Sequence, residues 1–274
     1  MKLRLAALAL LIAGATFVAI GYRNATADPV VIRYQVAVAG LAAPLRIVQL
    51  TDMHLSYPDM PPARVRRIVA QVAALNPDMV VMTGDYLGGK LVDTGRTNMN
   101  GAMEPYLALH PRLGIYAVRG NHDAAYWAKR IIPLYRIHYL ANDWTDAGPV
   151  VVAGLDDWWT GRRDVAGTLR SVPAKPVLLL THNPDAWLQV PGSVALTFAG
   201  HTHGGQIKLP LIGAPISVSA YGNRFRRGLI VEGSRHMIVS SGLGTTSVPL
   251  RFGVPPEIVE VTLYSVGRKS GTDR

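Results

Sequence analysis

The side chains best suited to chemistry stand in five short blocks, each just behind an apolar run. Leu45–Leu50 leads into Thr51-Asp52-Met53-His54, Met79–Met82 into Gly84-Asp85, Ile115–Val118 into Gly120-Asn121-His122-Asp123, Val177–Leu180 into Thr181-His182-Asn183, and Val194–Phe198 into Gly200-His201-Thr202-His203. The blocks use five of the eight histidines. Asp52, His54, Asp85, Asn121, His122, His182, His201 and His203 together offer carboxylate, amide and imidazole donors, a set that suits Mn²⁺, Zn²⁺ or Fe. The chain has no cysteine, which excludes thiolate nucleophiles, disulfides and sulfur-held zinc. Asp-x-His and His-x-His each put both members on one side of an extended backbone, whose side-chain period is two. A single such pair is more often a surface pair or a satisfied hydrogen bond. Five blocks together, each behind a strand-like run, point to one shared cation site.

The elements that must position these blocks are short β-branched and aliphatic runs. Besides those five, Val150–Ala153, Met237–Val239 and Ile258–Leu263 read as strands. Pro62–Leu75 predicts a helix, with Val65, Ile68, Val69 and Val72 at helical spacing behind a Pro-rich start. The order β-α-β-α-β, giving way to strands and loops, is that of an α/β core with a strand-rich second half. In open α/β sheets ligands bind at the carboxyl ends of strands, so five strand ends would meet at one place. Gly84, Gly120, Gly200, Gly204 and Gly205 permit the tight turns that crowded ligand loops require.

With 274 residues, 49% of them hydrophobic and 17% charged, the chain can bury a sizeable core. Lys and Arg exceed Asp and Glu by 28 to 18, and the net charge of +10 favours an anionic partner. No recognised nucleic-acid module or interleaved basic and aromatic run is present, so no specific nucleic-acid partner is expected. Leu5–Gly21 is apolar or small throughout and follows Lys2 and Arg4, the pattern of a membrane span or a signal peptide. Tyr22 and Arg23 read as interfacial anchors and favour an uncleaved span, while Ala25-Thr26-Ala27 keeps open cleavage to a secreted or periplasmic form. Either way the positive flank sends the remainder to the extracytoplasmic side. The expected organisation is an anchor or signal segment over 1–27 and one catalytic unit over 28–274. The Arg162-Arg163 and Arg224, Arg226, Arg227 clusters could meet phosphate or anionic lipid, or be solvated loops. Trp158 and Trp159 receive no role.

The ordered blocks D-x-H, G-D, G-N-H-D, a separate H and G-H-x-H resemble the calcineurin-like metallophosphoesterases, and the likeness extends to Gly242-Leu243-Gly244-Thr245 and Pro255-Pro256-Glu257-Ile258. GHTHGGQ and the leading apolar segment are similar to the membrane-anchored bacterial phosphodiesterase branch. The resemblance implies a four-layer αββα sandwich of two mixed sheets flanked by helices. It implies that Asp52, His54 and His203 hold one divalent ion, that Asn121, His182 and His201 hold a second, and that Asp85 bridges them. Many members continue the second block as G-D-x-x-D, whereas Gly88 stands here, which leaves the support behind the ligands in question.

On that reading two divalent ions outweigh the ligand carboxylates, and the surplus positive charge suits a phosphodiester or pyrophosphate. A membrane-held site further suits an amphiphilic phosphorylated substrate, such as a lipid-linked sugar nucleotide or a cell-wall polymer phosphate. His122 is expected to serve the leaving oxygen as general acid, oriented by Asp123. Two other classes compete: a barrel-type metal-dependent amidohydrolase, which also uses His-x-His, and a metal-stabilised binding protein without turnover.

Overall fold

Runs such as Ile47-Val48-Gln49-Leu50 and Val80-Val81-Met82 have no exposed face, and in the computed structural model they form strands covered on both sides. The structure describes residues 1–91, 93–95 and 97–265, so residues 266–274 of the expected 28–274 unit lie outside the described residues. In chain order the strands are β1 (Val30–Val38), β2 (Leu45–Leu50), β3 (Met79–Thr83), β4 (Ile115–Val118), β5 (Ile137–Tyr139), β6 (Asp143–Asp146), β7 (Val151–Gly154), β8 (Val177–Leu180), β9 (Val194–Ala199), β10 (Gly228–Glu232), β11 (Arg235–Val239) and β12 (Glu257–Ser265). The α-helices are α1 (Lys2–Thr26), α2 (Pro62–Ala74), α3 (Met99–Met103), α4 (Ala125–Ile131) and α5 (Val165–Thr168).

Two six-stranded sheets result, ordered β1-β12-β2-β3-β4-β5 and β10-β11-β9-β8-β7-β6. In the first, β2 to β5 run parallel and β12 runs antiparallel to β2. In the second, β7, β8, β9 and β11 run parallel between antiparallel edges. Alternation along the strands sorts the apolar residues into layers. Ile47, Met79, Val81 and Val118 meet Val152, Leu178, Leu180 and Phe198 between the sheets. Val48, Leu50, Val80 and Met82 point the other way, onto Val65, Ile68, Val69 and Val72 of α2. On the far face of the second sheet, Val151, Leu179 and Val239 pack on Trp158, Val165 and Trp187, around α5 and the 3-10 turn Pro184–Gln189. This is the four-layer arrangement, and its open sheets exclude the closed barrel of an amidohydrolase. The helix expected over Pro62–Leu75 ends one residue earlier, with Pro62 in its first turn, where a missing N–H costs nothing.

α1 is long and apolar enough to cross a membrane, and residues 1–20 are exposed along its length. Its last turns do touch the rest of the molecule. Phe17 stacks on Phe252 with ring centroids 4.2 Å apart, Arg251 N–H donates to the Gly21 carbonyl at 3.0 Å, and a guanidinium N–H of Arg64 donates to the Ala27 carbonyl at 2.9 Å.

The α2 face is the simplest place to test this layering. Ile68→Ala should destabilise the protein by about 2–5 kcal/mol, the usual range for emptying a packed core position. Arg66→Ala, which removes an exposed pair with Glu104, should cost less than about 1 kcal/mol. Denaturant midpoints of the two variants check the contrast.

Candidate metal centre

β2, β3 and β4 are parallel neighbours in one sheet, and β8 and β9 are parallel neighbours in the other, so all five blocks leave at carboxyl ends. Packing the sheets face to face brings these ends together. Asp52, His54, Asp85, His182, His201 and His203 are all buried, Asn121 is half-buried, and His122 lies exposed at the rim. Two groups form whose ligand atoms lie within 4.8 Å of one another: Asp52 with His54 and His203, and Asp85 with His182 and His201. Asp85 Oδ2 sits between the groups, 3.5 Å from His54 Nε2 and 3.3 Å from His182 Nε2. Asn121 Oδ1 lies 3.1 Å from His182 Nε2, which places it with the second group.

Local backbone shape explains how so many donors fit. Asp52, His54, Asp85, His201 and His203 all have positive φ, between 47° and 71°, a left-handed conformation uncommon for L-residues. The loops also cross at close range. A Cβ on Gly120 would stand 2.7 Å from Asp85 Cγ, and one on Gly200 would stand 2.6 Å from Asp52 Oδ2. Only glycine allows either approach. Further hydrogen bonds tie loop to loop: Asp52 N–H donates to Gly84 O and His54 N–H to Asp85 O, both at 3.0 Å. His201 N–H donates to the Asp52 carboxylate at 3.1 Å, and His122 N–H donates to Asp85 Oδ1 at 2.9 Å.

The imidazoles are oriented from behind by carbonyls. His54 Nδ1 lies 2.8 Å from Gly88 O, and His182 Nδ1 lies 2.8 Å from Thr83 O. A carbonyl only accepts, so each Nδ1 carries the proton and, in the neutral ring, each Nε2 presents a lone pair inward. The inward neighbours are themselves electron-rich. His54 Nε2 faces His203 Nε2 at 3.1 Å, while His182 Nε2 faces Asn121 Oδ1, His201 Nδ1 and Asp85 Oδ2. Buried His201 Nε2 and His203 Nδ1 have no hydrogen-bond partner. Imidazole, amide and carboxylate donor atoms crowded into one dry site suit a cation, whether a proton on His182 or a metal ion. The position where Gly88 replaces an acid thus still supports a ligand, through its backbone carbonyl.

Burial and neighbouring charges set the protonation states. Burial lowers His54 to about 4 and His201 to about 3, and holds His203 well below its ordinary value, leaving all three neutral. Burial also works against a charge on His182, but the Asp85 carboxylate overrides it and raises that ring to about 10. Asp85 in turn resists burial through its histidine neighbours, His182 first, which hold it well below the usual carboxylate range. Asp52 is pushed up to about 7 by burial, offset in part by His182 and reinforced by Asp85.

Some residues have roles that the sequence did not disclose. Asp123, expected to orient His122, has its oxygens on backbone amides instead: Oδ2 accepts from Asp85 at 2.8 Å and Gly120 at 3.0 Å, and Oδ1 accepts from Tyr86 at 2.9 Å. It clamps two ligand loops together. Lys90 lies buried behind His54, 2.8 Å from Asp59 and donating to Ser56 Oγ at 2.6 Å. Trp159 stands edge-on to His201 with centroids 4.3 Å apart, whereas Trp158 is core. Of the arginine clusters, Arg224 pairs with Glu232, Arg227 with Glu257 and Arg162 with Asp164, so these guanidiniums are already engaged.

Residues 45–205 match the family model of calcineurin-like phosphoesterases, and the chain belongs to that family. It is a metallophosphoesterase, a hydrolase of phosphoric esters whose family uses divalent metals. It is 35% identical to the metallophosphoesterase YkuE of Bacillus subtilis, over 80% of this chain and 79% of that one. It is 31% identical to a zebrafish transmembrane protein with a metallophosphoesterase domain, over 92% of this chain and 61% of the relative. It is also 28% identical to the UDP-2,3-diacylglucosamine pyrophosphatase LpxG of Chlamydia trachomatis, over 78% of this chain and 82% of that one. Membrane-protein relatives and the apolar α1 both support membrane anchoring.

The raised His182 pKa has a thermodynamic consequence. At pH 7 the metal-free ring is protonated, since its pKa lies near 10, and an ion that takes Nε2 must expel that proton. Manganese uptake at pH 7 should therefore release protons, and affinity should rise with pH until the ring is already neutral. Titration calorimetry in two buffers of different protonation enthalpy measures the release. Saturation should also raise the melting temperature, by the equivalent of about 2.7 kcal/mol at a hundredfold excess over Kd.

Proposed function

We propose that this protein is a dinuclear phosphoesterase that cleaves a phosphodiester or pyrophosphate bond in an amphiphilic substrate at a membrane surface. The observation that carries the reading is the pair of buried donor groups with Asp85 between them. In this reading Asp52, His54 and His203 hold one ion, Asn121, His182 and His201 hold the other, and Asp85 is shared. When bound, the two ions supply Lewis acidity that acidifies water and offsets charge on the phosphoryl oxygens. The chain's own contribution is placement. Two carboxylates against two divalent cations leave the centre positive, and a phosphate anion is its complement.

His122 is the group that meets the leaving oxygen. Its amide is fixed by Asp85 Oδ1, its ring packs edge-on to His54 with centroids 5.2 Å apart, and it lies exposed above the ligands. From there it donates a proton to the departing oxygen or stabilises charge on it. Asp123 acts indirectly, by keeping the loops of Asp85 and Gly120 in register.

Substrate amphiphilicity is supported by the surroundings. A cavity of about 390 Å³ beside His122 is lined by Leu87, Met99, Trp127 and Ile131 with Asn98. The pyrophosphatase named for the chlamydial relative acts on a diacylated sugar nucleotide, in keeping with a lipid-bearing substrate here. The contacts of Gly21 and Ala27 with Arg251 and Arg64 support α1 as a retained anchor, with residues 1–27 as that segment and 28–274 as the catalytic unit. The basic residues Lys2 and Arg4 ahead of the apolar stretch support an extracytoplasmic catalytic unit.

Hydrolysis of bis-p-nitrophenyl phosphate with metal analysis tests the assignment. Asp85→Asn should lose both bound manganese and activity. His122→Ala should keep its metal and lose roughly 10²–10⁴-fold in turnover of a diester with a poor leaving group, and much less with p-nitrophenolate, which needs no proton. Equal losses on both substrates would contradict the acid role. Gly120→Ala, which drives a methyl into Asp85, should fold but bind metal poorly.

A further inference from the structure

The chain leaves the metal centre through His203, Gln206 and Ile207 and forms a small hairpin. Leu209 and Gly213 exchange two backbone hydrogen bonds of 2.9 Å, and the tip between them is Pro210-Leu211-Ile212. The tip is apolar and uncovered: Leu211 is fully exposed, and Ile212 and Ile216 are each 69% exposed. Leu211 also has φ 64°, a conformation in which an exposed turn would ordinarily carry glycine or asparagine. Clustered exposed aliphatic side chains at a loop tip mark a surface that something apolar covers.

The base of the hairpin identifies the cover. Lys208 N–H donates to Phe252 O at 2.7 Å, and Phe252 N–H donates to Gln206 O at 3.1 Å. The same Phe252 stacks on Phe17 of α1, and it fits there because Gly21 leaves room for its ring. The hairpin is thus bonded directly to the residue on which the apolar helix rests. Its tip is three residues beyond Lys208, a reach of about 10 Å at most. Tyr22 and Arg23 on α1, with exposed Lys208 at the hairpin base, are side chains of the kind that sit among lipid headgroups.

We propose that the 207–216 hairpin is a second membrane contact, with Leu211 and Ile212 dipping into the headgroup–acyl boundary of the bilayer that holds α1. The inference rests on the reading of α1 as a membrane anchor. The hairpin adds a second point of attachment to that of α1, which is itself bonded to the catalytic unit through Phe252, Arg251 and Arg64. Behind the tip, Ile207, Ile216 and Val218 line a cavity of about 210 Å³ that reaches His201 and His203. A hairpin seated in the bilayer brings that cavity, and with it the metal centre, to the lipid surface.

Because the chain contains no cysteine, one introduced thiol is a unique labelling site. Leu211→Cys and Ile212→Cys, each carrying an environment-sensitive fluorophore, are placed in the full chain in phosphatidylethanolamine and phosphatidylglycerol vesicles. Leu11→Cys reports on α1, and exposed Ala174→Cys, ahead of β8 and so at the opposite end of that strand from its His182 loop, gives the aqueous reference. Labels at 211 and 212 should shift to the blue, be quenched by spin-labelled lipid, and be several-fold less open to iodide than the label at 174. If they match the label at 174 while the label at 11 is protected, the hairpin contact is wrong and the anchor stands. If the label at 11 is equally open to iodide, the anchor reading falls and the hairpin contact falls with it.

Discussion

The structure depends on gathering metal-type donor atoms from two sheets into one buried place. His54 and His203 aim ring nitrogens at each other across 3.1 Å, and His182 aims one at an amide oxygen, a third ring and a carboxylate. The histidines and Asp85 are buried, and the contacts are too short for water to stand between them. A proton satisfies part of the set, since the Asp85 carboxylate raises His182 to about 10 against the effect of burial. Divalent cations, which the family uses, suit the remaining imidazole, amide and carboxylate donors.

Holding the donors in that arrangement sets the demands on the fold. Strand ends from two sheets must meet, which requires parallel neighbours in each sheet and an apolar layer thin enough to align them. Ile47, Val81, Leu178 and Phe198 supply that layer. Asp52, His54, Asp85, His201 and His203 then take left-handed backbone conformations, a cost of order 1–3 kcal/mol each that the rest of the core must offset. Asp123 spreads its carboxylate over three amides and converts two independent loops into one rigid unit. The buried Arg251 guanidinium does similar work on the opposite side, donating to the carbonyls of Ser241, Gly242 and Gly244, behind Asp52.

The blocks were legible in the sequence because a strand buried on both faces is an uninterrupted apolar run, and its end is where polarity returns. The strands that left no such mark were β1, β5, β6 and β10, and these are the four sheet edges. An edge strand has one hydrogen-bonded neighbour and a solvent side, so Asp143-Trp144-Thr145-Asp146 reads as a loop. Contacts made by backbone carbonyls were equally hidden. That Gly88 would support His54 through its oxygen depends on chain path, not residue type. The contacts of Asp123 were hidden for the same reason: its type suggests a partner for His122, while the backbone amides it accepts from are set by the fold.

The central claim is that the buried donors cage two cations. Anomalous scattering from crystals grown with manganese tests it without recourse to any substrate. The account predicts two strong peaks per chain, one among Asp52, His54 and His203 and one among Asn121, His182 and His201, with Asp85 in reach of both. A single peak, or none within this set while the side chains stay as described, would contradict it.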